Sequence, residues 1–313
     1  MNMKTLKSGM VVALLSLSVP ASSHAIVILD DKPESLYLDL ATSPFLAPVG
    51  KLTTTHNGAS YISTAVLVSS QWILAAAHTV ARGGETLQAL EFTLGGVSHF
   101  GSVGSVALFP GFNPNLDPSG NYGVDLALFQ LTQPITGVAP AKIANGMPVE
   151  GTLSVFGGYG RRGNGITGDT LPAGSFLAAQ NDIDLIDTVS NTFFTDFDNP
   201  PGTANVIGSP FPLPLEGGAA PGDSGAPFFV QYENGEWGVV GILSGIGNLD
   251  SEPTMTYGDF TIGTGVTGAT GWMTSQGADI AVVPEPTVSA LVILGGAVVV
   301  GAGWVRRGRG EKH

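Results

Sequence analysis

The chain contains no cysteine among its 313 residues. This absence excludes disulfide bonds, cysteine-ligated zinc, iron–sulfur clusters and a thiol nucleophile, and it leaves the redox compartment open. Charge is also scarce, because only 12% of the residues are charged, about half the usual share. Positive charge is the scarcest, with 12 Lys and Arg against 25 Asp and Glu and a formal net charge of −13. A nucleic-acid partner is therefore excluded, since neutralising phosphates requires a clustered basic surface.

Apolar and turn-forming residues are abundant instead. Hydrophobic residues make up 43% of the chain, which is enough to bury a sizeable core, and there are 45 glycines and 21 prolines. Short apolar runs recur about every 8 to 12 residues, the spacing of strands separated by turns. The composition therefore predicts an all-β protein.

The N-terminal end has the three parts of a secretory signal. Lys4 and Lys7 precede an apolar run over residues 10–19, which is too short to span a bilayer. Small residues flank a histidine at 23–25, the pattern of a cleavage site. We expect residues 1–25 to be a signal peptide that signal peptidase removes.

The C-terminal end carries a second targeting pattern. Pro-Glu-Pro at 284–286 is followed by an apolar run at 288–305 and by Arg-Arg-Gly-Arg at 306–309. The run is long enough for a transmembrane helix, and the basic cluster would stay on the cytoplasmic side. This order resembles the PEP-CTERM sorting signal of Gram-negative bacteria, which an exosortase recognises and cleaves; a plain single-pass anchor is the alternative. Either interpretation of residues 284–313 places residues 26–283 outside the cytoplasm, anchored through the C-terminal helix or released to the cell surface or extracellular matrix.

A histidine lies at the end of a strand-like segment. Residues 59–75 contain two apolar stretches joined by a short polar turn, and three alanines then precede His78. Small residues ahead of His78 allow other backbone segments to approach it closely. A lone histidine is usually structural, so both a structural and a catalytic role remain open on this segment alone.

An aspartate lies at the mouth of a strongly apolar strand. A loop at 110–121 leads into residues 124–131, and Asp125 is the second of them. A carboxylate is costly to bury there unless a donor such as a histidine N–H bonds to it.

A glycine-rich turn contains the most specific motif. Residues 217–227 place glycines on both sides of Ser224, just before an apolar strand. Such a turn allows the N–H groups of Gly222 and Ser224 to point into one space, as an oxyanion hole requires. A loop serine with no function is an equally good interpretation of this stretch by itself.

Together the three segments indicate nucleophilic catalysis. A serine attacks a carbonyl well only when a base takes its proton, and an imidazole serves best when a buried carboxylate orients it. His78, Asp125 and Ser224 would supply base, orienting group and nucleophile. A GxSxG nucleophile elbow is excluded because Ala226 stands where its second glycine would be.

Five segments carry a family resemblance, at residues 76–78, 124–129, 153–160, 222–227 and 239–245. In these segments the chain resembles the trypsin-like serine proteases of the chymotrypsin fold. The resemblance implies two six-stranded antiparallel Greek-key barrels, at about 26–147 and 148–283. It also implies a serine endopeptidase that uses the triad through an acyl-enzyme intermediate and acts on peptides or proteins.

The resemblance further implies how the oxyanion hole is organised. Asp223 would accept a salt bridge from a new N-terminus. Cleavage after Ala25 would expose Ile26, followed by valine as in the family. Ile28 and Leu29 then replace the two glycines that the family has there.

The resemblance gives only a general expectation of which residue precedes the cleaved bond. Gly218 occupies the place at the bottom of the substrate pocket and offers no carboxylate to Lys or Arg. Ser244, Gly245 and Ile246 stand where the strand that binds the peptide backbone is expected. If Ile246 forms the pocket wall, the pocket is shallow and favours small or medium apolar side chains.

Several weaker patterns complete the expectations. A catalytically inactive homologue acting as an extracellular binding or matrix protein is the alternative function. No metal ion or organic cofactor is required. The spacing of Asn115, Asp117, Ser119 and Gly120 partly matches a calcium loop, but Leu126 stands where its closing glutamate would fall, so an Asx-rich turn is favoured. The aspartates between residues 182 and 198 predict a solvated loop or edge, and His56 a surface or hydrogen-bonded histidine.

Overall fold

The computed structural model describes residues 25–116, 118–249 and 254–283. Within them the α-helices are short, and strands dominate, which confirms the predicted β class. The helices are α1 (Glu34–Ala41), α2 (Ala77–Val80) and α3 (Ala269–Ser275). The strands are β1 (Ile26–Ile28), β2 (Val49–His56), β3 (Ala59–Ser69), β4 (Trp72–Ala75), β5 (Leu87–Leu94), β6 (Val97–Phe100), β7 (Ala107–Leu108), β8 (Ala127–Gln130), β9 (Thr152–Gly158), β10 (Arg162–Asn164), β11 (Gly168–Leu171), β12 (Leu177–Ile183), β13 (Leu185–Asp187), β14 (Thr192–Asp196), β15 (Gly217–Gly218), β16 (Pro227–Gln231), β17 (Trp237–Gly247) and β18 (Phe260–Gly265).

The first sheet closes on itself as a barrel. Its order is β6-β5-β2-β3-β4-β8-β7. Just beyond β6, Gly101 forms an antiparallel bridge with Leu131, and the Ser102 N–H donates to the Gln130 carbonyl over 2.8 Å. β7 continues along the same edge of β8 after a 3₁₀ turn at Val103–Ser105. The sheet has seven strands rather than the predicted six because one strand position is broken by this turn.

The second sheet closes in a similar way. Its order is β12-β9-β16-β17-β18-β14-β13. β12 pairs with β9, whereas β13, which follows after the single residue Asp184, pairs with β14. The Asp184 N–H donates to the Phe194 carbonyl over 2.9 Å, so the chain changes partner without losing backbone hydrogen bonds. Here too the seventh strand results from a break in one position.

A third sheet, which the sequence does not predict, contains the first strand of the described chain. Its order is β11-β10-β1-β15, with β1 parallel to β10 and antiparallel to β15. Ile26 and Val27 of β1 are fully buried there, and Val27 pairs with Gly218. The segment after the predicted cleavage site is therefore part of the folded core.

Three large apolar clusters and a smaller fourth one, which contains Phe197 and Met255, form the interior. One fills the first barrel and includes Phe92 and Phe129; a second fills the other barrel and includes Phe193 and Phe228. The third contains residues of both barrels and of α3, and three tryptophans are partly buried against it: Trp72, Trp237 and Trp272. Burial of this shared cluster holds the two barrels together.

None of the helices among the described residues is long and apolar enough to span a membrane. The predicted signal peptide at 1–25 lies outside the described residues except for Ala25. The predicted sorting tail at 284–313, with its transmembrane segment, lies entirely outside them.

Candidate active site

Strand register brings His78 and Asp125 together. β4 and β8 are antiparallel, with Ala75 opposite Ala127. Extending this register by two residues places Asp125 beside the start of α2, which carries His78. The His78 backbone N–H donates to Asp125 Oδ1 over 2.8 Å, and His78 Nδ1 lies 2.6 Å from Oδ2. Asp125 therefore fixes both the backbone and the ring of His78, which leaves Nε2 for chemistry.

A serine from the second barrel completes the surroundings of Asp125. The Ser244 Oγ–H donates to Asp125 Oδ2 over 2.5 Å, and Asp125 is 2% exposed. The buried carboxylate thus has three donors, which offset its loss of water. The sequence assigned Ser244 only to substrate binding, and nothing in its local pattern indicated this contact.

Ser224 lies in a tight turn between β15 and β16. Gly222 and Gly225 have φ values of +103° and +88°, which disfavour L-residues with side chains. A Cβ on Gly225 would lie 2.2 Å from the Thr64 carbonyl oxygen, and one on Gly222 would lie 2.7 Å from Gly160 Cα. The turn therefore needs glycine for both its conformation and its close packing.

Thr64 of the first barrel holds this turn in place. Its N–H donates to the Ser224 carbonyl over 2.9 Å, and its Oγ1–H donates to the Gly222 carbonyl over 3.2 Å. The Tyr159 N–H in turn donates to Thr64 Oγ1 over 3.0 Å. In the described part of the chain, the N–H groups of Gly222 and Ser224 donate to no protein acceptor. Two backbone donors beside Ser224 are thus left for a ligand.

Ser224 and His78 line one cavity of about 240 Å³, together with Gly222. No hydrogen bond joins Ser224 Oγ to His78 Nε2 among the residues described. Such contacts often tighten only when substrate binds. The arrangement brings together all three residues of the expected triad and both expected oxyanion donors.

Asp223 and Ile26 are not joined in the intact chain. Asp223 is fully buried, and it accepts N–H bonds from Gly160 and Ala220 over 2.8 and 2.9 Å. Burial raises the pKa of the Asp223 carboxyl to about 7. Within the described ranges no hydrogen bond or ion pair links it to Ile26, which is held in β1. The physical reason is covalent, since Ala25 precedes Ile26 and makes its nitrogen an uncharged amide.

Gly218 and Ile246, which we expect to line the substrate pocket, lie where other side chains already occupy the space. A Cβ on Gly218 would lie 2.6 Å from Met255 Cγ and 3.3 Å from Phe197 Cδ1. Both neighbours are completely buried. Gly218 is therefore covered by the protein's own side chains. Ile246 packs half-buried against the same cluster.

Gly245, between Ser244 and Ile246 on β17, lies beneath an aromatic ring. A Cβ there would be 2.5 Å from Tyr122 Oη. Tyr122 was not identified from the sequence, because it lies in a loop of glycine and asparagine with no distinctive spacing.

The acidic stretch is only in part the solvated loop or edge that we expect, because β12 and β13 are edge strands but the later aspartates are buried. Only Asp187 is exposed, whereas Asp196, Asp198 and Glu216 are 2–3% exposed. Asp196 accepts N–H bonds from Val206 and Ile207, and Glu216 accepts them from Asp198 and Leu213. Asp196 and Glu216 thus supply acceptors to the loop between β14 and β15, which sequence spacing could not show, whereas Asp198 Oδ1 has no hydrogen-bond partner among the described residues.

Burial changes the acidity of this group. The pKa of Asp198 rises to about 7 and that of Glu216 to about 8, chiefly because burial disfavours the charged forms. Burial also raises the pKa of Asp184. In the described part of the chain, no three His, Asp or Glu side chains are placed to hold a metal ion.

Two other predicted sites are structural. In the loop preceding Asp125, the Asn113 N–H donates to Asn121 Oδ1 and Asn121 Nδ2 donates back to the Asn113 carbonyl, as in an Asx-rich turn. His56 is buried rather than on the surface, and its Nε2 lies 3.1 Å from the Thr79 carbonyl oxygen.

Comparisons with known proteins agree with this geometry. The family model of trypsin matches residues 46–272, which is well over half of the chain. Among solved structures, the chain is similar to neuropsin, a serine protease expressed in the limbic system of mouse brain. The similarity has a TM-score of 0.53 at 18% identity, and it covers 74% of this chain and 96% of neuropsin, which shows the shared fold. No curated protein matches the sequence. With the trypsin family model spanning both barrels, the chain belongs to the trypsin family and is a serine-type endopeptidase.

Proposed function

We propose that the protein hydrolyses peptide bonds with Ser224 as nucleophile, His78 as general base and Asp125 as the group that orients His78. The observation that carries the proposal is the buried Asp125 carboxylate, which binds both the backbone and the ring of His78 at the edge of the cavity containing Ser224. A carboxylate so placed fixes the tautomer and stabilises the imidazolium that forms during catalysis.

The reaction proceeds through two tetrahedral intermediates. Ser224 Oγ attacks the carbonyl carbon while His78 Nε2 takes its proton. The Gly222 and Ser224 N–H groups, which donate to no acceptor in the described ranges, stabilise the oxyanion. The imidazolium then donates its proton to the departing amine, which leaves an acyl-enzyme on Ser224. Water, deprotonated by His78, attacks the ester and releases the acid.

Hydrolysis of an unfolded protein substrate such as casein tests this mechanism. The unmodified protein should release peptides, Ser224→Ala should not, and Ser209→Ala, which changes an exposed loop serine, should match the unmodified protein. A folded protein that hydrolyses nothing would favour the alternative of an inactive binding or matrix protein.

Cleavage after small or medium apolar residues is the proposed specificity. Support comes from the absence of a carboxylate at Gly218 and from Met255 and Phe197, which fill the space that a Gly218 side chain would enter. Ile246 packs against the same apolar cluster and narrows the site further. A peptide-library profile should show Ala, Val or Leu before the cleaved bond. A profile dominated by Lys or Arg would refute it.

Activation by signal cleavage is part of the proposal. Cleavage after Ala25 would give Ile26 a charged amine. Asp223 is the group it would neutralise, since this fully buried carboxyl has no cationic partner among the described residues. The pairing of Val27 with Gly218 already holds β1 five residues from Asp223 along the chain. Mass spectrometry of the mature N-terminus should find Ile26, and any other first residue would contradict it.

The proposed location is outside the cytoplasm of a Gram-negative bacterium. The end patterns at 1–25 and 284–313 support export by signal peptidase processing and later recognition by an exosortase. Cell fractionation with antibodies to residues 26–283 should find the protein in the membrane or at the cell surface. Recovery from the cytoplasm alone would contradict it.

A further inference from the structure

The cavity beside Ser224 has a distinctive charge. It is lined by Thr54, Tyr61, Ile62, Ser63, His78, Thr79, Arg82, Pro221, Gly222 and Ser224. Its volume of about 240 Å³ equals that of about eight water molecules. Arg82 is the single permanent charge in this lining, and no Asp or Glu takes part. The lining next to the nucleophile thus carries one positive charge and no carboxylate, in a strongly acidic protein.

The position of the cavity relative to Ser224 identifies which part of a substrate would enter it. In the proposed function the acyl part runs along residues 244–246, and none of these lines the cavity. The cavity instead lies between the turn at Gly222 and residues 61–63 of β3. It therefore lies on the side of the bond where His78 gives its proton to the departing amine.

Arg82 is held in place by an aromatic ring, and its guanidinium N–H groups donate no hydrogen bond within the described residues. It follows α2 by two residues, and its guanidinium carbon lies 3.9 Å from the centre of the Tyr61 ring. Arg82 forms an ion pair with Glu85, whose Oε2 lies 3.9 Å from a guanidinium nitrogen, but this distance is too long for a hydrogen bond. Among the described residues Arg82 donates no hydrogen bond. Its planar fork thus remains available to bind a carboxylate with two parallel bonds.

The other basic residues do not offer a similar site beside Ser224. Outside the two targeting segments the chain has six Lys and Arg against 23 Asp and Glu, a formal charge of −17. Four of the five besides Arg82 form ion pairs away from the cavity: Lys32, Lys142, Arg161 and Arg162. An acidic peptide is repelled by most of this surface and attracted at Arg82.

We propose that Arg82 makes the enzyme prefer substrates with Glu or Asp at the first or second position after the cleaved bond. This preference rests on the proposed function, because it concerns the same site. Tyr61 positions the guanidinium by stacking, and the substrate carboxylate provides the acceptor that Glu85 does not.

The test uses peptides with an apolar residue before the cleaved bond and a blocked N-terminus, which differ only at those two positions and, in one set, at a C-terminus that is otherwise blocked. One set carries Glu, one carries Gln, and a third carries Gln with a free C-terminal carboxylate two residues after the bond. The ratio of kcat/KM for Glu over Gln is measured for the unmodified protein, Arg82→Gln, Arg82→Lys and Lys142→Gln. Lys142→Gln removes the same charge from another part of the surface.

We expect Glu to be preferred about five- to tenfold by the unmodified protein and by Lys142→Gln, as for a partly exposed Arg–carboxylate pair. Added salt should reduce the preference. Arg82→Gln should bring the ratio to within about twofold, and Arg82→Lys should keep part of it. An unchanged ratio in Arg82→Gln would overturn the proposal. So would a preference for the free C-terminal carboxylate alone.

A binding measurement separates this proposal from the proposed function. Ser224→Ala cannot form an acyl-enzyme, and its affinity for fluorescent Glu and Gln peptides is measured by anisotropy, with and without Arg82→Gln. A Glu preference that depends on Arg82 supports the subsite even if the unmodified protein hydrolyses no peptide. Equal affinities for both peptides would contradict the subsite even if hydrolysis is observed.

Discussion

The two barrels position their halves of the active site by different means. In the first barrel, the pairing of β4 with β8 places His78 beside Asp125, and Ser244 of the second barrel adds one further hydrogen bond. In the second barrel, Ser224 lies in a turn that depends on positive φ at Gly222 and Gly225 and on bonds from Thr64. One half is thus set by sheet geometry and the other by backbone conformation and close packing.

This difference indicates that the two halves should fail in different ways. A substitution in the first half should remove chemistry and leave the fold intact, because the strands do not depend on the Asp125 side chain. A substitution in the second half should disturb the fold, because turn glycines cannot accept a side chain at these positions.

The largest effect on activity is expected from Asp125→Asn. The amide cannot hold His78 in the required tautomer, so kcat should fall about 10³- to 10⁴-fold while the melting temperature changes little. Peptide hydrolysis and thermal unfolding measured on the same sample check this. Loss of the folded state at 25 °C would show that the fold of the first barrel depends on the Asp125 side chain.

The largest effect on stability is expected from Gly225→Ala. The new Cβ would have both an unfavourable φ and a contact of 2.2 Å with the Thr64 carbonyl oxygen. Gly235→Ala is the matched control, since Gly235 has a φ of +81° and nothing within 4 Å of its Cβ position. Gly225→Ala should lower the free energy of unfolding by about 1–3 kcal/mol more than the control, measured in urea. Equal losses of unfolding free energy in the two variants would mean that the backbone at Thr64 moves away from the new Cβ at no cost, which would contradict the prediction.

Ser244→Ala should have an intermediate effect that links the two halves. It removes one donor from the buried Asp125 carboxylate, and we expect kcat to fall about three- to tenfold. Ser69→Ala, at a buried serine of β3 that does not line the cavity beside Ser224, serves as the control. Equal kcat values for both variants and the unmodified protein would show that Asp125 needs no contact from the second barrel.

The smallest effect concerns pH and the buried carboxyls of the second barrel. The pKa of Asp198 is raised to about 7, above its unfolded value of about 4. The folded state therefore binds more protons between these values, and its free energy of unfolding falls as pH rises from about 4 to about 7.

Asp198→Asn should make this decline of the unfolding free energy with pH shallower. Asp187→Asn, at an exposed carboxyl whose pKa is lowered by bonds from Ser190, should not. Urea unfolding between pH 4 and 8 checks the slopes, and identical slopes would contradict the account.

The predictable part of the site consists of residues whose local pattern carries the chemistry. His78, Asp125 and Ser224 could be found because an apolar strand beside each makes a polar side chain unusual and because their chain order follows a known family. The trypsin family and the serine endopeptidase class follow from the same segments and agree with the family comparison. The strand pairing in the structure then shows how close these residues lie, which the sequence does not show.

The remaining features depend on contacts between distant segments. Ser244 reaches Asp125 across 119 residues, and Thr64 reaches Gly222 across 158. The buried acids were expected in solvent because a run of aspartates has no visible acceptor role until the loop at 199–214 folds over it. Arg82 has no motif at all, and only the cavity shared with Ser224 gives it a role.

The most direct test of the central claim is to react the protein with a fluorophosphonate and to locate the adduct by peptide mass spectrometry. The account predicts one adduct, on Ser224, which disappears in Ser224→Ala and forms far more slowly in Asp125→Asn. A folded protein that gives no adduct, or one that is labelled elsewhere and equally well in Ser224→Ala, would contradict it.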